Sequence, residues 1–163
     1  MKTLLIMRHG KSDWGAEYAS DLDRPLAKRG KRQSAEMGAA CLKAGLVPDL
    51  IISSPAKRAR ATAKRFAKTA EYSGELLIHD TLYHEGVEGI VSGVLRQLED
   101  EVEVVMLVGH NPTLEELAAY LTHESVSLPT ATIAQVALRV EGWGAAREGC
   151  GKLVALLSPQ AGE

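Results

Sequence analysis

Apolar positions along the chain fall into short continuous runs, separated by longer stretches in which apolar residues recur at helical spacing. The first run, Thr3-Leu4-Leu5-Ile6-Met7, is bounded by glycine and reads as a buried strand over residues 3–8. Residues 11–26 are polar and irregular and end in Asp23-Arg24-Pro25-Leu26. Residues 27–44 have helical character, with Ala35, Met37, Ala39, Ala40 and Leu42 on the apolar side and Gly45 as the stop. Val47-Pro48-Asp49 leads into a second strand, Leu50-Ile51-Ile52-Ser53. Ser54 then reads as an N-cap with Pro55 at the first helical position. The helix runs to about Ala70, with an apolar stripe of Ala59, Thr62, Ala63, Phe66 and Ala70 and with Lys57, Lys64 and Lys68 opposite.

Leu76-Leu77-Ile78 reads as a short strand before a loop at residues 80–83, and a helix is expected from Val87 to Glu99. Val102 to Val108 is a strongly apolar strand. Thr113-Leu114-Glu115-Glu116 matches a capping box, opening a helix through about Leu121. Residues 131–140 and 152–157 read as two final strands, and the tail Ser158–Glu163 as frayed. Strands alternate with helices over the first three-quarters of the chain. That pattern predicts an α/β fold, a three-layer αβα sandwich with a mostly parallel central sheet. Ligands in such sheets sit beyond the carboxyl ends of strands. His9, Ser53-Ser54 and His110 all fall at such ends, which gathers them on one edge.

Composition narrows the class. The 163 residues fit one domain, 1–163, with 45% hydrophobic and 25% charged residues, enough for a folded core. Aromatic residues make up only 4%, so aliphatic and alanine packing must build that core. A net charge of −2 offers no basic excess for a nucleic-acid footprint. No signal peptide and no long uncharged apolar run is present, so no membrane association is expected. Cys41 and Cys150 have no metal spacing and the histidines form no His-x-x-x-His pair, which points to a reducing, cytoplasmic setting and no metal site.

The chemistry concentrates at Arg8-His9-Gly10 and Gly109-His110-Asn111. A neutral imidazole is a nucleophile, and cations nearby disfavour its protonated form. Arg8 and a second arginine would therefore hold His9 neutral and ready to attack phosphorus. Arg8 can offer a planar fork to two phosphate oxygens. Arg58 lies close to the amino end of a helix, where anions are favoured; Arg60 is equally near the stripe edge, and periodicity does not choose between them. His110 precedes a helix and can donate a hydrogen bond to a phosphoryl oxygen. An isolated strand-end histidine more often just bonds backbone, and His79, His84 and His123 have such weaker contexts.

Three motifs in order carry a resemblance: Arg8-His9-Gly10, then Ser53-Ser54-Pro55-Ala56-Lys57-Arg58-Ala59-Arg60-Ala61-Thr62-Ala63, then Val108-Gly109-His110-Asn111. The chain resembles the histidine phosphatase superfamily, also called phosphoglycerate mutase-like. Its short length and Asp23-Arg24-Pro25-Leu26, with Gly30 after it, look most like the SixA-type branch of phosphohistidine phosphatases. Ala27 departs from the threonine or serine usual there, which weakens a helix cap. The resemblance implies a phosphoglycerate mutase-like fold and His9 as the nucleophile that becomes phosphorylated. It also implies Arg8 and Arg58, rather than Arg60, on the phosphoryl group, His110 completing the phosphate pocket, and no metal or cofactor. Many members carry a general-acid glutamate two residues after a leucine in the loop following the third strand. Here Leu82-Tyr83-His84-Glu85 places His84 at that offset and Glu85 one step later, so both stand as candidates.

An alcohol leaves a phosphomonoester only with a positioned acid, whereas the imidazole of phosphohistidine can depart neutral because its other nitrogen titrates near ~6.5. The absence of a large lid insertion suits a side chain presented on a protein surface. The expected substrate is phosphohistidine on a protein such as a phosphotransfer domain. A small phosphorylated molecule, handled by a phosphomonoesterase or mutase, is the alternative within the superfamily; a mutase would need a closing lid. A non-catalytic phosphate-binding module is the alternative from another class.

Overall fold

A computed structural model describes residues 1–160 of the protein. Six strands form one sheet: β1 (Lys2–Arg8), β2 (Leu50–Ser53), β3 (Leu76–Ile78), β4 (Val104–Gly109), β5 (Ile133–Leu138) and β6 (Gly151–Leu157), in the order β3-β2-β4-β1-β5-β6. β3, β2, β4 and β1 run parallel, and β5 and β6 add on antiparallel. The fold is thus α/β with a mostly parallel sheet. Among the described residues five helices cover it: α1 (Lys28–Ala44), α2 (Lys57–Thr69), the single turn α3 (Thr81–His84), α4 (Val87–Gly93) and α5 (Thr113–Thr122).

Side-chain alternation along the central strands explains the layers. Leu5 and Met7 of β1 and Met106 and Val108 of β4 point to one face, where they pack with Met37 and Cys41 of α1 and Ala59, Ala63 and Phe66 of α2. Leu4, Ile6, Val105 and Leu107 point to the other, against Ile90 and Val91 of α4 and Leu114 and Leu117 of α5. Because both faces are covered, these strands read as continuous apolar runs rather than alternating ones.

Two helix starts differ from expectation. Ser54 is not the cap of α2: its hydroxyl accepts the Ala56 N–H at 3.1 Å and lies 2.8 Å from His110 Nε2, so the turn closes ahead of the helix and Ala56 stands at the cap. Nor does Thr113 cap α5. Pro112 does, with φ −82°, and the first turn is closed by backbone bonds from Leu114 to His110 and from Glu116 to Pro112. Glu115 instead accepts the Leu128 N–H. The helix expected over 87–99 stops at Gly93 and resumes as a 3-10 turn at Leu95–Gln97; glycine at 89 and 93 weakens it. The expected loop at 80–83 is largely the turn α3. Ala27 caps α1 without a side-chain bond, and Gly45 ends that helix in the left-handed region with φ 72°. Within the expected frayed tail, Ser158 and Gln160 are tied to Thr132 and Glu36, while residues 161–163 lie outside the described part.

Candidate active site

β1 and β4 are neighbours in parallel, with Arg8 opposite Gly109, so the residues that follow them emerge side by side. His9 N–H binds Gly109 O at 3.0 Å, and the His9 and His110 rings come to 5.1 Å between centroids at 58°. The glycine after His9 is needed for packing: a Cβ on Gly10 would stand 2.8 Å from Gly30 O, and one on Gly30 would stand 2.2 Å from Lys11 O. That back-to-back contact brings the start of α1 under the His9 loop. Thr62, which looks like part of the apolar stripe of α2, accepts the Gly10 N–H at 2.9 Å and ties the loop to that helix.

His9 Nδ1 lies 2.7 Å from Gly10 O, a carbonyl that can only accept. The proton therefore sits on Nδ1, and Nε2 carries the free lone pair. His9 is 7% exposed. Burial is the main reason its pKa falls to about 3. The Gly10 carbonyl opposes that shift, while His110, Arg58 and Arg8 add to it. The expected cation effect is present but secondary to desolvation. His110 is lowered to about 4, again by burial first and then by Arg58, with Asp21 acting the other way. Both rings are neutral at pH 7.

Around them lies an open cavity of about 540 Å³, lined by Arg8, His9, Arg58 and His110 together with Lys11, Ser12, Trp14, Asp21, Arg24, Tyr83, Asn111, Thr113 and Thr130. Arg58 sits in the first turn of α2, 5% exposed. Its Nη1 and Nη2 donate to Asp21 O at 2.6 Å and Asp21 Oδ2 at 2.9 Å. Arg8 Nη1 donates to Leu128 O at 3.2 Å. The Nε atoms of both arginines are buried without a hydrogen-bond partner among the described residues. A buried donor left unpaired on a charged group is costly, and both of these belong to arginines that line the cavity. Arg60 turns away and donates from Nε to Pro55 O at 2.8 Å.

His84 and Glu85 do not line the cavity. Both are exposed at the end of α3, the Glu85 carboxylate lying over Gly89 and the His84 ring standing edge-on to Tyr83. Their neighbour Tyr83 does line it. Its hydroxyl donates to Asp21 Oδ2 at 2.8 Å and its ring meets His110 edge-on at 5.5 Å. His79 and His123 bond elsewhere, to the Thr81 N–H and to Glu148.

Asp21 escapes sequence reasoning altogether. Among the described residues it is the one carboxylate of the cavity lining, and it accepts from Arg58, Arg24 and Tyr83 at once. Burial pushes its pKa up, but the bonds from Tyr83, Arg58 and Arg24 outweigh that and hold it well below the usual carboxylate range. It carries no proton near neutrality. Arg24 in turn donates to Ser12 Oγ at 3.1 Å and stacks on Trp14 at 3.6 Å, so residues 12–26 form a fastened strap that gives Ser12, Trp14, Asp21 and Arg24 to the cavity lining. The only signal was the charge pattern Asp21-Leu22-Asp23-Arg24 in an otherwise irregular stretch.

Comparison with known proteins places this arrangement in a family. The sequence model of the histidine phosphatase superfamily (branch 1) matches residues 4–84. An uncharacterised protein of Mycobacterium tuberculosis is 33% identical over 169 residues, covering 94% of this chain and 100% of its own length. The Agrobacterium tumefaciens protein assigned as the phosphohistidine phosphatase SixA superposes with a TM-score of 0.81 at 27% identity, covering 97% of this chain and 98% of that one. The protein histidine phosphatase SixA complexed with tungstate has the same fold, at a TM-score of 0.83 and 23% identity over 96% of this chain and 97% of that one.

Proposed function

The chain belongs to the histidine phosphatase superfamily, and on that basis we propose that it hydrolyses phosphohistidine carried on a protein, through a phosphorylated His9. The observation that carries this reading is the neutral His9 ring, its Nδ1 tied to Gly10 O, beside a cavity that Arg8, Arg58 and His110 line with it. In the first step the lone pair of His9 Nε2 forms a bond to phosphorus as the bond from phosphorus to the substrate imidazole breaks. The substrate ring, protonated on its other nitrogen, leaves neutral. In the second step water attacks, the Nε2–P bond breaks, a water proton passes to the phosphate, and His9 returns to its starting form.

Arg8 and Arg58 hold the phosphoryl oxygens, each charge-assisted bond worth roughly 1.5–3 kcal/mol. His110 stands opposite His9 to bind the same group. Asp21 accepts from both Nη atoms of Arg58 and so fixes the guanidinium at the cavity wall. The reaction needs positioning and electrostatics more than further chemistry.

The choice of phosphohistidine over an alcohol ester rests on protons. An alkoxide leaving group requires an acid, and the lining carboxylate, Asp21, is ionised. Glu85 and His84 lie outside the lining. Turnover of a phosphohistidine peptide should exceed that of a sugar phosphate and of a phosphoserine peptide by at least about a hundredfold in kcat/KM, the scale of one lost general-acid contribution. Equal turnover of the phosphoserine peptide would overturn the substrate assignment while leaving His9 in place.

A further inference from the structure

The two outer layers of the fold carry opposite charge. Residues 28–69, which contain α1 and α2, hold eleven lysines and arginines against two acidic residues. Residues 80–148, which contain the helices of the other face, hold twelve acidic residues against three arginines. The overall charge of −2 conceals this division. The sheet separates the two, because α1 and α2 pack on one of its faces and α4 and α5 on the other.

The basic layer is placed against its own helices. Neither α1 nor α2 has an acidic residue in its first turn, and both start with lysine, where the helix dipole disfavours a cation. Arg60, Lys64 and Lys68 follow one another at i, i+4 spacing on α2, and like charges so placed cost about 0.2–0.5 kcal/mol per pair. Lys57, Lys64, Arg65 and Lys68 are exposed. Lys64, Arg65 and Lys68 line an open groove of about 400 Å³ with Ala61 and with no carboxylate. The one carboxylate of the two helices, Glu36, accepts the Gln160 N–H. An anionic partner would relieve all of these placements together.

The layer also leads to the cavity. Lys57 precedes Arg58 in the first turn of α2, and Lys68 lies about 16 Å further along the same helix, at 1.5 Å per residue. An extended peptide covers that distance in about five residues.

We propose that the outer face of α1 and α2 is a docking surface for an acidic protein segment flanking the phosphohistidine that enters the cavity. The proposal rests on the phosphohistidine reading above. A protein segment fits better than nucleic acid, because a long polyanion crossing the cavity mouth would run onto the acidic layer, whereas a short acidic segment lies on one side of it.

Three synthetic peptides of equal length, each with a central phosphohistidine, test this: one flanked by glutamate, one by serine and one by lysine. At low salt, kcat/KM should be about tenfold higher for the glutamate peptide than for the lysine peptide, and the difference should collapse near ~0.5 M salt. In the variant Lys64→Glu, Arg65→Glu, Lys68→Glu the order should reverse, while hydrolysis of phosphoramidate stays unchanged and reports an intact site. The milder variant Lys64→Gln, Lys68→Gln should flatten the preference. Equal kcat/KM for the three peptides, or a glutamate preference that survives the triple substitution, would overturn the docking surface and leave the phosphatase reading standing. If no peptide is hydrolysed, the phosphohistidine reading fails, and docking is read from fluorescence anisotropy of the unphosphorylated glutamate peptide. Binding that the triple variant loses supports the surface. No binding, or tighter binding of a single-stranded RNA of similar charge, overturns it.

Discussion

At the scale of single residues, the proposed reaction divides the site into groups that meet the anion and groups that hold those in place. In the proposed reaction Arg58 does the first, with a planar guanidinium whose fixed donors a lysine cannot reproduce. Arg58→Lys should lower kcat/KM on phosphohistidine about a hundredfold, as expected for the loss of a charge-assisted bond pair, whereas Arg60→Ala should change it less than about threefold. A severe Arg60→Ala and a silent Arg58→Lys in the same assay would exchange the two. Asp21 does the second. Asp21→Asn keeps a side chain of the same shape but removes the charge that Arg58, Arg24 and Tyr83 share. It should cost about tenfold in kcat, an ion-pair loss at the edge of a cavity. It should also lower the pKa of His110, since Asp21 raises it, an effect visible in the imidazole resonances but not expected of a merely structural change. His9, Arg8 and His110 were legible in the sequence because each ends or follows a short apolar run, and strand ends are where such sheets place ligands. Asp21 and Tyr83 were not. One comes from an irregular strap and the other from a single helical turn, and neither has a periodicity that says which way its side chain points.

At the scale of elements, the helices on the basic face are well packed but poorly started. α1 and α2 approach so closely that a Cβ on Gly38 would sit 2.2 Å from Phe66 O, and Thr69 Oγ1 reaches across to Ala35 O at 2.6 Å. Yet α1 begins at Ala27 with no side-chain cap. Ala27→Ser should therefore stabilise the protein by about 1 kcal/mol, measured as a higher urea midpoint with an unchanged slope. No gain would mean that the backbone bonds from Ala27 N–H to Lys11 O and from Lys31 N–H to Ala27 O already satisfy this end. The elements themselves were largely readable from hydrophobic runs. Their caps were not, because a cap is decided by where a hydroxyl finds its partner. Ser54 finds His110, fifty-six positions away, and the proline before Thr113 takes the cap position itself.

At the scale of the whole molecule, sheet order and charge division escape local reading, since β1 lies between β4 and β5 and only the folded layers bring like charges together. The two neutral imidazoles at the centre also set how the fold responds to acid. Both have folded pKa values, about 3 and about 4, below the ordinary 6.5, so below pH 6.5 the unfolded chain binds protons that the folded one refuses. Stability should hold above pH 6.5 and fall as pH drops from there toward 4, by up to ~1.4 kcal/mol per pH unit per ring. His9→Gln should flatten part of that slope in urea titrations; an identical slope would mean that His9 titrates normally in the fold. The central claim, that the neutral ring of His9 attacks phosphorus, is tested most directly by rapid quench of the enzyme with a labelled phosphohistidine peptide, followed by peptide mapping. The label should appear on His9 in an acid-labile, alkali-stable form before phosphate is released, and His9→Ala should neither capture label nor turn over. Undiminished hydrolysis by His9→Ala, or label on another residue, would contradict it.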